Sequence, residues 1–257
     1  MSQKPLALVV FLENVGHIAG LKLPQWLMDG IDFVTEEYAK ILLHLYGAYR
    51  RYDKVIILED ERATGPQLSK ALLETSRTHR IDVLLLVHGH EGQLLGYKGK
   101  HWVGKETFGP LITAYRADPT ILDLRMVYGL NCFGATLAET WMAMGARAVN
   151  GAVGVNWFPE PSLSIFLRSW LGGHPYSLAV ERSNRVYRLS GAKWTGKSVI
   201  TPDFSTPLRT HPSTNLPARC AAIVHAFWLA RPADIFSISS AASAGAMQSA
   251  DCSHSGE

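Results

Sequence analysis

Residues 82–92 read DVLLLVHGHEG, and this stretch decides the fold. Its first part, Asp82 to Val87, is apolar throughout, which is typical of a strand buried on both faces of a parallel sheet. His88 and Gly89 follow where that strand ends. Residues 124–134 read LRMVYGLNCFG and repeat the pattern, with an apolar strand that ends at Cys132. Two buried strands, each followed by a chemically reactive side chain, predict a site at one edge of a parallel sheet.

Short apolar runs alternate with longer amphipathic segments along the chain. Strands are predicted from Leu6 to Phe11, Lys54 to Leu58, Asp82 to Val87, Leu124 to Leu130 and Ala148 to Val155. Helices are predicted from Ile31 to Tyr49, Thr64 to Thr78 (opened by a Thr64–Gln67 capping box), Thr107 to Arg116, Ala135 to Met144, Pro161 to Leu171 and Tyr176 to Leu189, with a hairpin from Gly92 to Trp102. This alternation predicts an α/β fold, a three-layer α-β-α sandwich around a mostly parallel sheet.

The bulk composition suits one large domain. The chain has 257 residues, of which 47% are apolar and 18% charged, enough to build a sizeable core. A single domain is expected over residues 1–235, with a short strand at 197–200, a Pro-rich loop at 201–217 and a last helix at 221–229. Residues 236–257 are rich in Ser, Ala and Gly and are predicted to form a disordered tail.

Several function classes are disfavoured by composition and spacing. A net charge of +3, spread over the whole chain, argues against nucleic acid as a partner. The three cysteines form neither a disulfide framework nor a zinc motif, and no Gly-rich phosphate loop follows the first strand, so no metal and no cofactor is expected. Because no apolar run is long enough to span a membrane, a soluble, cytoplasmic protein is predicted. The oligomeric state cannot be read from the sequence.

Cys132 and His88 have the residue types and positions of a nucleophile and its proton-transfer partner. Each follows an apolar strand, and a cysteine just before a helix N-terminus is expected to carry more thiolate. The glycines beside both residues would let a substrate backbone come close. The N–H groups of Gly89 and Cys132 are candidates for an oxyanion hole, so the predicted reaction is acyl transfer through Cys132.

Other residues at these strand ends remain candidates. His90 competes with His88 for the catalytic role, because Gly89-His90-Glu91 offers a second histidine in the same loop. His90, Leu130, Asn131 and Trp157 are predicted to line a substrate pocket. For Asn131 a structural role in the turn is an equally open interpretation, and for Trp157 ordinary loop packing is the interpretation slightly favoured over a place in the pocket.

These two segments resemble the caspase family of cysteine peptidases. The apolar strand, His88-Gly89, an acidic residue, Gly92 and a glycine-punctuated hairpin resemble the family's histidine segment, and the strand that ends in Cys132-Phe-Gly134 resembles its nucleophile segment. Weaker similarity to the single-chain CHAT, clostripain and gingipain relatives continues to about residue 190. The resemblance implies a caspase-like fold, a Cys132–His88 dyad and a polypeptide substrate.

One position departs from the family pattern. Two residues before the cysteine, caspases have Gln and metacaspases and clostripain have an acid, whereas this chain has Leu130. The preference for the substrate residue before the scissile bond (P1) therefore cannot be carried over, and Leu130 indicates a more apolar or differently lined pocket.

Two rival functions stay open on the sequence alone. A cysteine-type α/β-hydrolase would need a Gly-x-Cys-x-Gly elbow, but the spacing from Gly129 to Cys132 is one residue too long. A catalytically silent caspase-like module, kept for binding or regulation, is the other. The presence of both dyad residues argues against a silent module. The loss of the family's P1-binding residue at Leu130 argues weakly for it.

Overall fold

The computed structural model describes residues 4–13, 36–156 and 160–189. They belong to one compact unit, Met1–His211, whereas a second unit, Pro212–Glu257, lies outside the described residues. The predictions for residues 197–200, 201–217, 221–229 and 236–257, and the placement of Trp157, also fall outside them. Among the described helices, none combines the length and the apolar composition needed to cross a membrane.

A seven-stranded sheet forms the centre of the described unit. Its strands are β1 (Leu6–Glu13), β2 (Lys54–Leu58), β3 (Arg80–His90), β4 (Gln93–Leu95), β5 (Trp102–Val103), β6 (Leu124–Gly129) and β7 (Ala148–Asn150). Five strands pair in parallel in the order β2-β1-β3-β6-β7, which places β3 in the middle. The remaining two, β4 and β5, extend the sheet in antiparallel fashion from the end of β3.

Helices connect the parallel strands, because parallel neighbours need a crossover connection rather than a tight turn. Residues 36–45 are helical and are called α1 here. The other helices are α2 (Ala48–Arg51), α3 (Gly65–Ser76), α4 (Lys105–Ala117), α5 (Ala138–Ala143), α6 (Ser162–Leu171) and α7 (Tyr176–Leu189). Short 3-10 helices cover Asp60–Arg62, Tyr97–Gly99 and Gly134–Leu137.

The sheet is covered on both faces, which confirms the predicted α-β-α layering. On one face, alternate strand residues such as Val83 and Val127 join a buried cluster with α3, α4 and α5. On the other face, Tyr128 stacks on Phe166 of α6, and the Tyr176 hydroxyl at the start of α7 donates a hydrogen bond to the Val127 carbonyl at 2.7 Å. This double burial explains why β3 is so apolar along its length.

A buried ion pair interrupts that apolar strand near its start. Asp82 is fully buried and accepts two hydrogen bonds from Arg125 on the neighbouring strand β6. The Tyr52 hydroxyl donates to the same carboxylate at 2.6 Å and accepts the indole N–H of Trp170 at 2.9 Å. Burial, reinforced by the Asp82 carboxylate, raises the pKa of Tyr52 well above its usual range, which keeps the phenol protonated as a donor. The prediction of an entirely apolar strand was therefore wrong at Asp82.

Most predicted elements are present, and several differ from the prediction. The third predicted strand, Asp82 to Val87, is longer and runs from Arg80 to His90, so His88 lies inside β3. Of the helix predicted from Ile31 to Tyr49, residues 31–35 lie outside the described residues. The described part is interrupted at Gly47, whose φ of 79° is left-handed and ends α1. The predicted strand from Ala148 to Val155 stops at Asn150. The helix predicted from Ala135 begins instead as a 3-10 turn at Gly134. Thr64 is the N-cap residue of α3, but its side chain makes no capping hydrogen bond.

Candidate active site

The segments that carry His88 and Cys132 lie side by side at the carboxyl edge of the parallel sheet. Strands β3 and β6 are adjacent and parallel, so both chains leave the sheet at the same edge. Strand β3 runs on past this edge, and its last three residues, His88–His90, pair with β4 in antiparallel register. The histidine segment is thereby held by a hairpin beside the loop that follows β6.

Gly89 is in direct contact with the cysteine segment. A Cβ atom built on Gly89 would lie 2.5 Å from the carbonyl oxygen of Cys132 and 2.9 Å from Nδ2 of Asn131. A side chain at position 89 would therefore collide with the backbone of the nucleophile loop, defined here as residues 130–136. Only glycine lets the two strand ends approach this closely.

Two further contacts join the same pair of segments. The Gly92 N–H donates to Oγ1 of Thr136 at 2.8 Å, and that hydroxyl donates to the Phe133 carbonyl at 2.6 Å. The rings of His90 and Phe133 lie 5.9 Å apart between centroids. The end of β3, with Gly92 just beyond it, is thus linked to the nucleophile loop at three points.

The nucleophile loop makes a sharp turn immediately after the cysteine. Phe133 has a φ of 54°, in the left-handed region. The N–H groups of Phe133, Gly134 and Ala135 all bond backbone carbonyls, on Gly154, Asn131 and Ala152 respectively. The N–H groups that a helix N-terminus was expected to present here are therefore already used. Among the described residues, no acceptor bonds the N–H of Cys132 itself.

The Cys132 sulfur contacts one residue of the loop after β7, defined here as the cover loop, residues 151–156. The backbone N–H of Asn156 donates to Sγ at 3.3 Å, and the Asn156 carbonyl accepts from the thiol at 3.6 Å. The side-chain amide of Asn156 donates to the Leu130 carbonyl at 2.8 Å. This loop is the reason β7 is short, because its carbonyls bond the nucleophile loop instead of extending the sheet.

The structure places the predicted site residues in different environments. Cys132, His88 and Leu130 are half-buried, and His90 is exposed. Asn131 is only 1% exposed, and its amide donates to the Cys132 carbonyl at 3.3 Å. This packing matches the structural interpretation of Asn131 as a turn residue more closely than the pocket-lining one.

Sequence reasoning missed Thr136, Asn150 and Asn156. Asn150 and Asn156 donate from their side chains to the carbonyls of Gly129 and Leu130, next to the nucleophile. Gly151 and Gly154 follow β7 closely. They could have indicated that the strand ends at Asn150 and that a loop follows, because glycines within an apolar run often mark the end of a strand. Thr136 carries no comparable signal, since its partner Gly92 is distant in sequence.

Within the described part of the chain, no group of three His, Cys, Asp or Glu side chains is arranged to hold a metal ion.

A Gly89→Ala variant tests the close approach of the two strand ends. The added methyl group would overlap the Cys132 carbonyl, so we expect a loss of about 1–3 kcal/mol in the free energy of unfolding, measured by urea denaturation. Gly109→Ala in α4 is the control, because a Cβ there meets nothing within 4 Å. Pro110 follows and limits any gain in helix stability, so a change within about 1 kcal/mol is expected. Equal stability of Gly89→Ala and wild type would show that the contact does not exist in solution.

The described unit has a caspase-like fold: a mostly parallel sheet between two helical layers, with its candidate site at the carboxyl edge of the central strands. No protein-family model and no curated protein sequence matches the chain. Among solved structures, it is similar to the Arg-specific cysteine proteinase gingipain R, with a TM-score of 0.54 and 16% identity over 80% of this chain. It is also similar to RgpB of Porphyromonas gingivalis in a complex of pro- and mature domains, with a TM-score of 0.50 and 17% identity over 80% of this chain.

At this level of identity the likeness establishes the fold. In both comparisons the alignment covers 48% of the other chain, so this protein spans about half the length of either neighbour. The caspase-like fold expected from the sequence is confirmed.

Proposed function

We propose that this protein is a cysteine endopeptidase that cleaves polypeptides with Cys132 as nucleophile and His88 as general acid and base. The observation that carries the proposal is the contact between Gly89 and the Cys132 carbonyl. That contact joins a His-Gly segment to a cysteine segment at the edge of the sheet where ligands bind in parallel α/β folds. The cysteine-proteinase neighbours that share the fold support the same class of chemistry.

The proposed reaction has two steps. The Cys132 thiolate attacks the scissile carbonyl, and the resulting tetrahedral oxyanion collapses to a thioester while His88 protonates the leaving amine. His88 then removes a proton from water, which attacks the thioester and releases the acid product and the Cys132 thiolate, with His88 protonated again. The N–H groups of Cys132 and Gly89 are proposed to bind the oxyanion.

Substrate preference is the open part of the proposal. Leu130 is half-buried and its carbonyl is held by Asn156, so it lies next to the reacting sulfur. It offers neither the amide nor the carboxylate found at this position in the caspase relatives. We propose that the P1 preference is neither for Asp, as in caspases, nor inherited from the Arg-specific neighbours.

Peptidyl acyloxymethyl ketones that differ only at P1 (Asp, Arg, Lys, Leu, Phe and Asn) test the function directly. We expect one of these probes to alkylate Cys132, with the adduct mapped by mass spectrometry. We expect His88→Ala to slow that labelling at least about tenfold. The control is iodoacetamide, which needs no substrate pocket.

Labelling of Cys132 by every ketone at the iodoacetamide rate, or by none, would contradict a peptidase. The catalytically silent module would then be the better description. A preference for Asp or Arg at P1 would support the peptidase function. It would contradict the proposal that Leu130 changes the P1 preference from that of the relatives.

A further inference from the structure

Asn156 contacts the Cys132 sulfur with both its backbone N–H and its backbone carbonyl. The candidate dyad of Cys132 and His88 gives this residue no role. Its backbone N–H lies 3.3 Å from Sγ and its carbonyl oxygen 3.6 Å from the same atom. A peptide N–H that points at a sulfur stabilises the thiolate by a charge-assisted hydrogen bond, whereas a thiol is a weak donor to a carbonyl. The shorter and stronger of the two contacts therefore favours the thiolate.

The position of this N–H is set by the Asn156 side chain. Its amide donates to the Leu130 carbonyl at 2.8 Å, two residues before the nucleophile. The rest of the cover loop is attached separately, through hydrogen bonds from Phe133 to Gly154 and from Ala135 to Ala152. Loss of the side-chain amide would free residue 156 while leaving the remainder of the loop in place.

Three asparagines hold the backbone between Gly129 and Cys132 in the same way. Asn150, Asn156 and Asn131 donate to the carbonyls of Gly129, Leu130 and Cys132 respectively. In each of them Oδ1 is buried, and among the described residues it has no hydrogen-bond partner. A buried acceptor without a partner is destabilising, so stability alone does not explain an amide at these positions.

We propose that Asn156 is a positioning residue for the Cys132 thiolate. Its side chain fastens the end of the cover loop to Leu130, and its backbone N–H then orients and stabilises the sulfur for attack. This inference rests on the proposed peptidase function for its meaning in catalysis, although the contact itself can be tested without any peptide substrate.

The test compares the pH dependence of Cys132 alkylation by iodoacetamide in wild type, Asn156→Ala and Asn156→Asp. Mass spectrometry of the Cys132 peptide keeps the readout separate from Cys220 and Cys252. We expect Asn156→Ala to be alkylated roughly three- to tenfold more slowly at pH 7, with the rate profile moved to higher pH, because the thiolate loses a charge-assisted donor. Asn156→Asp is expected to show at least the same change, because its carboxylate also repels the thiolate. Val155→Ala is the matched control: it is an exposed neighbour in the same loop and leaves the Asn156 amide intact.

An alkylation profile in Asn156→Ala that coincides with wild type, at equal urea stability, would overturn the proposal. Global unfolding is monitored by circular dichroism, and Asn156→Asp supplies a second variant of nearly unchanged shape. If the profile moves but no ketone probe labels Cys132, the contact stands and the peptidase function fails. If a ketone labels Cys132 but the profile does not move, the function stands and the role of Asn156 fails.

Discussion

A Cys132→Ala variant is expected to lose at least roughly a thousandfold in kcat/KM for peptide hydrolysis, because removal of the nucleophile leaves only binding and oxyanion stabilisation. The substrate is a fluorogenic peptide with the P1 residue that the ketone panel selects. Cys132 is half-buried beside the Asn156 backbone, so the substitution to a smaller side chain should leave the fold intact. Unchanged urea stability would confirm that the loss is chemical. Retention of hydrolysis in Cys132→Ala would rule out the proposed mechanism.

His88 and His90, at the end of β3, provide a matched pair of variants for the same assay. His88→Ala is expected to cost at least about a hundredfold, the range of general acid–base catalysis. His90 is exposed and lies against Phe133, so His90→Ala is expected to change the rate by less than about fivefold. The reverse result would assign the proton transfer to His90, the alternative that the sequence leaves open. Equal rates in both variants would mean that neither histidine moves the proton.

An Asp82→Ala variant is expected to lose about 3–5 kcal/mol in the free energy of unfolding, because it leaves a buried guanidinium without its counterion. Asp82 is fully buried and Arg125 only 5% exposed. Burial alone would lower the pKa of Arg125, but the Asp82 carboxylate raises it above its usual value, so the guanidinium stays charged. The substitution also removes the acceptor of the Tyr52 hydroxyl. Urea denaturation followed by circular dichroism measures the loss.

Two controls separate this effect from a general sensitivity to lost charges. Glu181→Ala breaks an exposed ion pair with Arg185 on α7 and is expected to cost less than about 0.5 kcal/mol. The double variant Asp82→Leu with Arg125→Met removes both charges and is expected to recover most of the stability lost in Asp82→Ala. A loss below about 1 kcal/mol in Asp82→Ala would show that water or another group replaces the carboxylate.

The ion pair lies near the start of the two strands that carry the candidate dyad at their other ends. From Asp82 to His88 the strand rises roughly 20 Å, at about 3.3 Å per residue. The register of β3 against β6 shifts between Ile81 and Asp82, next to this pair. We therefore expect the pair to act on stability and register rather than on the reacting atoms.

The backbone of the fold could be predicted from sequence because its signals are local. Buried parallel strands are continuous apolar runs, and helices repeat apolar residues at their own spacing, so β2, α6 and α7 lie where the pattern placed them. The β4–β5 hairpin was indicated by closely spaced glycines. His88 and Cys132 were candidates for the same reason: each follows an apolar strand, and adjacent parallel strands end at the same edge of a sheet.

The sequence by itself determined the alternation of strands and helices and the two strand ends where reactive residues follow. The tertiary structure alone decided what surrounds the sulfur: the turn at Phe133, the hydrogen bond of Thr136 to Gly92 and the contact of Asn156 with Sγ. It also decided that the carboxylate of Asp82 would accept hydrogen bonds from Arg125 and Tyr52. The physical reason is that hydrophobic periodicity depends only on residues close together in sequence. A hydrogen bond between residues far apart in sequence depends instead on where the folded chain places its donor and acceptor.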